Sequence, residues 1–174
     1  APDSKLFEKI RYETPNISGR MDHLRASILR PQLRHLNAQC KRWNVRYKTL
    51  ENGLKDTPGL RIIQRPIQEA YVGSSIQFLL LDWNSDAIGD VIERCAARGV
   101  ELKWFGSKEP VGFTSRYDCW TYVQSNAMPK TDRILAALLD MRIPLTFSIE
   151  DCVLIAKIVR SEIGAVYQDM SAMA

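Results

Sequence analysis

The sequence predicts an α+β domain: a long N-terminal helix flanking a small, mainly antiparallel sheet with helices on one face. Three observations predict it. From Met21 to about Asp56 apolar residues recur at steps of three and four, the period of a helix. At Thr57-Pro58-Gly59 a turn signal ends that pattern. Beyond it, short β-rich apolar runs alternate with helical stretches that carry their own start and stop signals.

Residues 1–20 show no clean period. In the long helix, Leu33, Leu36, Cys40, Trp43, Tyr47, Leu50 and Leu54 line one face. Pro31 lacks the N–H that a mid-helix position needs, so a kink or two abutting helices is expected there. Residues 60–63 and 76–81 read as strands. Ser85 reads as the N-cap of a helix with Ile88, Val91, Ile92 and Cys95 on one face, stopped by Gly99. Residues 100–105 read as a strand and 106–127 as an aromatic loop. Pro129 suits the first turn of a helix over 129–141 carrying Ile134, Leu135, Leu138 and Leu139. Residues 142–147 read as a strand that Pro144 confines to an edge or breaks. Ser148 and Asp151 form a capping-box pattern before a helix over 149–165.

The 174 residues suffice for one domain, and 45% hydrophobic with 25% charged content is that of a globular chain rather than a disordered one. The net charge of +4 is mild. No apolar run approaches the ~20 residues of a membrane helix, and APDSKLFEKIRYE lacks the apolar core of a signal peptide. Cys40, Cys95, Cys119 and Cys152 are far apart, with no C-x-x-C pair and only His23 and His35 to join them in a metal site. That pattern fits buried free thiols in a reducing, cytoplasmic setting, and no metal.

Three stretches could carry function. Between Asp22 and Glu51 there is no acid, while Arg25, Arg30, Arg34, Lys41, Arg42, Arg46 and Lys48 fall there. Such a helix could follow phosphates, but its bases are spread round the polar arc without a helix-turn-helix or a stacking platform. A solvated or interface face is the better reading, and nucleic acid the weaker one. The corner Ser18-Gly19-Arg20 offers a hydroxyl, backbone N–H groups and a guanidinium to an anion. On composition alone a plain N-cap with a surface arginine is the better reading. The loop WFGSKEPVGFTSRYDCW brings Trp104, Phe105, Phe113, Tyr117 and Trp120 together with Glu109 and Arg116. A loop so aromatic is expected to pack on a substrate, another domain or a protomer. Glu109 and Arg116 could orient a ligand or pair with neighbours. Hydrolase and nucleotide motifs are absent: there is no G-x-S-x-G, no Gly-rich phosphate loop, and no histidine near Cys119 in sequence. No constellation is self-sufficient for catalysis.

The stretch GRMDHLRASILRPQLRHLNAQCKRWNVRYKTLENGL resembles the C-terminal portion of DegT/DnrJ-type (StrS-like) pyridoxal-phosphate-dependent aminotransferases. In that family an Asn-x-Arg-Met corner leads into a helix with A-A-I and Q-L, then a long helix with R, Y and L. Arg20-Met21, Ala26-Ser27-Ile28 and Gln32-Leu33 fall in this register, as do Arg46 or Tyr47 and Leu50. Ile143-Pro144-Leu145 with Ser148-Ile149-Glu150-Asp151 is similar to the family's closing motif, so the likeness spans about residues 15–165.

The resemblance implies a C-terminal small domain over 21–168, with 1–20 a lead-in from an absent large domain and 169–174 a tail. It implies that Ser18, Arg20 and Asn16 reach the cofactor phosphate of a partner protomer in a homodimer. Trp104, Glu109 and Arg116 are the corresponding substrate-side candidates. Two departures stand out. The family's usual asparagine two residues before the arginine is Ser18 here, with Asn16 two residues earlier, and WFGSKEPVGF lacks the histidines many relatives carry. The latter raises an unusual or non-sugar substrate. The cofactor-bearing lysine is expected N-terminal to Ala1, so pyridoxal phosphate belongs to the full-length enzyme and none is expected in this chain alone. The parent would move an amino group from an amino-acid donor to a keto-sugar or other carbonyl acceptor. The alternative is a stand-alone binding module using the basic helix and the aromatic loop.

Overall fold

The computed structural model describes residues 21–108, 117–124 and 126–172, together with Ile10, Glu13 and Gly19. Helix α1, His23–Gln32, opens on Asp22, whose Oδ1 accepts the Arg25 N–H at 2.8 Å and whose carboxylate also pairs with the Arg25 guanidinium. Pro31 sits in its last turn. The chain tightens to a 3₁₀ turn at Leu33–His35 and resumes as α2, Leu36–Leu54. The expected break at Pro31 therefore takes the form of two abutting helices.

Helix α2 buries Tyr47, Leu50 and Leu54 and crosses the last helix, α5 (Ile149–Ala172), very closely. A Cβ on Gly53 would lie 2.5 Å from the Ala156 Cβ, so only glycine permits the crossing. The turn after α2 is fixed by the Thr57 hydroxyl, which donates to the Leu54 carbonyl at 2.7 Å, and by Gly59 at φ +75.

Four strands make the sheet: β1 (Arg61–Ile62), β2 (Ser75–Leu79), β3 (Lys103–Trp104) and β4 (Leu138–Arg142). They lie in the order β1-β2-β4-β3 with every pair antiparallel. Between β1 and β2 the connection is tied to α2 by Asn44. Its Nδ2 donates to the Tyr71 carbonyl (3.0 Å), and its Oδ1 accepts the Gly73 N–H (2.7 Å). Helix α3, Ser85–Ala97, buries Ala87, Ile88, Val91 and Cys95 and stops at Gly99, φ +81. Its N-cap is Asn84, whose Oδ1 accepts the Ala87 N–H at 2.8 Å; the expected cap, Ser85, is the first helical residue instead. The capping box before α5 forms as expected: Ser148 N–H donates to Asp151 Oδ2 (2.8 Å) and Asp151 N–H to Ser148 Oγ (3.0 Å).

The largest correction lies at 129–147. Helix α4, Pro129–Ala137, stops where the helical pattern would continue, and Leu138–Arg142 is a strand rather than the end of a helix. The apolar run allowed both periods, and the edge of β2 decided between them. Leu139 and Met141 pair with Phe78 and Ile76 and point into the core, while Asp140 and Arg142 take the other face. Ile143 N–H still bonds the Ser74 carbonyl at 2.9 Å, and Pro144, with no N–H to give, comes next. The expected strand over 142–147 is thus shifted four residues towards the N-terminus. Helix α5 likewise runs on to Ala172, past the expected end at 165.

One core results. Ile76, Phe78 and Leu80, with Leu139, Met141 and Ile143, face α2, α3 and α5, whose inner sides supply Leu50, Val91, Cys152, Val159 and Ile163. Helix α4 stands apart from that layer, against β3, where the Trp104 Nε1–H donates to the Ala136 carbonyl at 2.9 Å. The opposite face of the sheet carries Ser75, Gln77, Asp140 and Arg142. None of the described helices is long and apolar enough to cross a membrane.

Candidate functional site

The corner that leads into α1 is the first candidate. Asn16, Ser18 and Arg20 lie outside the described residues; Gly19 is exposed, and a Cβ there would meet nothing within 4 Å. The helix beyond the corner, α1, is capped by Asp22.

Behind the corner, α1 buries nothing. Leu24 is 72% exposed and Leu33 65%, with Met21, Ile28 and Leu36 also open to solvent. Apolar side chains at helical spacing on a helix with no buried residue make an unpartnered face. The basic residues divide. Arg46 turns inward, its Nε donating to the Phe147 carbonyl at 2.7 Å, and Lys48 pairs with Glu51 at 2.6 Å. Those two hold the fold or a neighbour, which shortens the basic track that a nucleic acid would follow.

Of the substrate-side candidates, Glu109 and Arg116 lie outside the described residues, as does Phe113. Trp104 is half-buried at the sheet edge, on the side of the core, with its indole N–H committed to Ala136. Trp120 is also half-buried and stacks on Tyr122, ring centroids 6.1 Å apart. The Tyr117 hydroxyl donates to Asp132 Oδ1 at 2.7 Å, which raises its pKa above the ordinary phenol value. A small recess of about 200 Å³ lies there, between Phe105, Tyr117, Asp132 and Leu135. The two ends of the loop thus fold back onto β3 and α4.

Two of the thiols, Cys95 and Cys152, are buried in the core. Burial, with Glu162 nearby, pushes Cys95 up to about 11, and burial raises Cys152 as well. Among the described residues no group of three or more His, Cys, Asp or Glu side chains could hold a metal. Nor do those residues fit pyridoxal phosphate unaided. Lys41, Lys48, Lys55, Lys108, Lys130 and Lys157 are exposed, and Lys103 is half-buried with its Nζ 4.8 Å over the Phe105 ring. None stands in an enclosed pocket of the kind a cofactor-bearing lysine needs.

A groove that the sequence did not disclose lies where the open face of the sheet meets core-side residues that include Phe147 and, from α5, Ile155. It measures about 670 Å³ and is lined by Gln77, Lys103, Asp140 and Arg142 with Phe105 and Phe147. Gln77, Lys103, Asp140 and Arg142 come from three strands, and other lining residues from the 99–102 segment, the loops and α5. Only the period-two reading of 138–142 could have found Asp140 and Arg142 as neighbours on one face.

A small antiparallel sheet packed against helices, entered through a solvent-exposed basic helix, makes an α+β domain. The chain belongs to the DegT/DnrJ/EryC1/StrS aminotransferase family, whose model matches residues 3–160. Solved structures with a similar fold include the aminotransferase TlmJ from Streptoalloteichus hindustanus, at TM-score 0.67 and 19% identity over 81% of this chain and 36% of that one. The chain is also similar to 3-amino-5-hydroxybenzoic acid (AHBA) synthase, at TM-score 0.67 and 16% identity over 92% of this chain and 46% of that one. A third is DesI, solved in the presence of its TDP-sugar product, at TM-score 0.59 and 15% identity over 82% and 36%. The chain therefore spans less than half the length of each. No curated protein matches it in sequence.

Proposed function

We propose that this chain is the C-terminal domain of a pyridoxal-phosphate-dependent aminotransferase that passes an amino group from an amino acid to a keto-sugar or other carbonyl compound. The observation that carries the reading is the lead-in. A corner whose sequence is rich in donors precedes a helix that buries no residue and leaves Leu24, Ile28 and Leu29 exposed. In the whole enzyme that helix packs on the large domain or on a second protomer, and Arg20, with Ser18 or Asn16, donates to the cofactor phosphate of the partner. Trp104, Glu109 and Arg116 border the substrate.

Pyridoxal phosphate, when bound, supplies the electron sink for the amino transfer. This chain contributes phosphate donors and a wall, not the lysine. Alone it is inactive. The acceptor class stays as wide as the relatives' names: one is solved with a TDP-sugar product, another is a synthase of an aminobenzoic acid.

In the full-length homodimer, Arg20→Ala weakens cofactor affinity by roughly 10- to 100-fold, the value of one charge-assisted hydrogen bond of about 1.5–3 kcal/mol, and Ser18→Ala by less. Unchanged affinity in both variants sinks the phosphate role. The exposed face of α1 also supports a second reading, a stand-alone interaction module. A purified chain that captures duplex DNA tightly, with strong salt dependence, would favour that reading.

A further inference from the structure

The open-face groove uses none of the residues of the cofactor reading and does not rest on it. We propose that this groove binds a small zwitterion with an apolar body, an apolar α-amino acid, through Asp140 and Arg142.

Strand β4 sets the geometry. Its alternation sends Leu139, Met141 and then Ile143 into the core, which leaves Asp140 and Arg142 on the open face, two residues or about 7 Å apart. Asp140 is only 8% exposed and borders the groove. Among the described residues its carboxylate has no hydrogen bond and no ion pair. Burying a carboxylate that way is unfavourable unless a cation or donors reach it. Its neighbours across the ladder are Gln77 and Lys103. The Lys103 ammonium, however, is drawn over the Phe105 ring at 4.8 Å. Asp140 therefore keeps acceptor capacity directed at the groove.

Arg142 lies at the exposed end of the same face, and its guanidinium has no carboxylate partner among the described residues. An acid and a base, each unpaired, thus stand on one wall. Val100, Leu102, Phe105, Phe147 and Ile155 give the rest an apolar lining. The formal charges of the lining, Glu101 and Asp140 against Lys103 and Arg142, cancel. A neutral groove with separated poles favours a zwitterion over a plain cation or anion. The ammonium meets Asp140, the carboxylate meets the planar fork of Arg142, and the side chain covers the aromatic lining. Its volume is within the usual range of roughly 300–1,000 Å³ for small-molecule sites.

The test is calorimetric titration of the purified chain with L-phenylalanine, phenethylamine and 3-phenylpropanoate. L-Phenylalanine should bind at least about ten-fold more tightly than either single-charge analogue. Asp140→Asn should remove that preference over the carboxylate analogue, and Arg142→Gln the preference over the amine. Arg142 is exposed, so its variant keeps the test open should Asp140→Asn fail to fold. The proposal is overturned by no heat from L-phenylalanine up to about 10 mM, by equal binding of all three probes, or by wild-type affinity in the folded variants.

Discussion

Helices α1 and α2 come from one run of helical periodicity, yet the structure treats them oppositely. Helix α2 buries Tyr47, Leu50 and Leu54, fits α5 so closely that Gly53 has no room for a side chain, and is tied by Trp43 and Arg46 to the carbonyls of Ile143 and Phe147. Helix α1, with Leu24 and Ile28 four residues apart, buries no residue. An apolar stripe specifies a helix and the face it will use, but not whether this chain provides the partner. Where it does, the stripe stabilises the fold. Where it does not, the stripe is left in solvent.

Substitutions that separate the two regions should sort by size. The greatest loss belongs to the core that α2 shares. Phe78→Ala removes a ring with no exposed surface and should cost about 3–5 kcal/mol in urea unfolding. A loss under about 1 kcal/mol would mean that the sheet and helices do not share one core.

Next comes the pH dependence set by burial. Cys95 ionises at about 11 in the folded chain against 9.0 for an unperturbed thiol. Between those values the unfolded chain gives up its proton while the folded one keeps it, so stability is full below pH 9 and falls as pH rises towards 11. The slope is about 1.4 kcal/mol per pH unit, roughly 2–3 kcal/mol in all. Chemical denaturation across that range should show the fall, and Cys95→Ala should remove this part of it. An unaltered slope in the variant would place the thiol in contact with water.

Gly53→Val probes the helix crossing. The Cβ alone meets Ala156 at 2.5 Å, so overpacking should destabilise the chain by about 1–3 kcal/mol. A neutral result would show α2 and α5 further apart than the geometry has them. The smallest effect should come from α1, where Leu24→Ala and Ile28→Ala together stay within about 0.5 kcal/mol of wild type in the isolated chain. A cost comparable to that of Gly53→Val would mean that α1 is packed and its apolar face is not an interface.

Much of this was legible in the residues. The turn at Thr57-Pro58-Gly59, the break at Pro31 and the Ser148/Asp151 box are local devices, and each appears where its chemistry required. The α+β class followed from the change of period. Residues 138–147 misled because Leu138 and Leu139 continue the α4 pattern. Only the tertiary offer of the β2 edge turns them into a strand, with Leu138 already extended at φ −87, ψ 123. That same misreading hid the groove, since Asp140 and Arg142 share a face only at period two. The phosphate corner could be singled out by its donors, yet its task depends on residues that another domain or protomer brings.

The proposed role gives the chain a wall of the cofactor site and leaves the cofactor-bearing lysine to the rest of the enzyme. The sharpest check is to incubate the purified chain with pyridoxal phosphate, reduce with borohydride and weigh the product. A colourless protein with no stoichiometric adduct is expected, because the lysines among the described residues are exposed or lie in an open groove. A single lysine modified at full occupancy would contradict it.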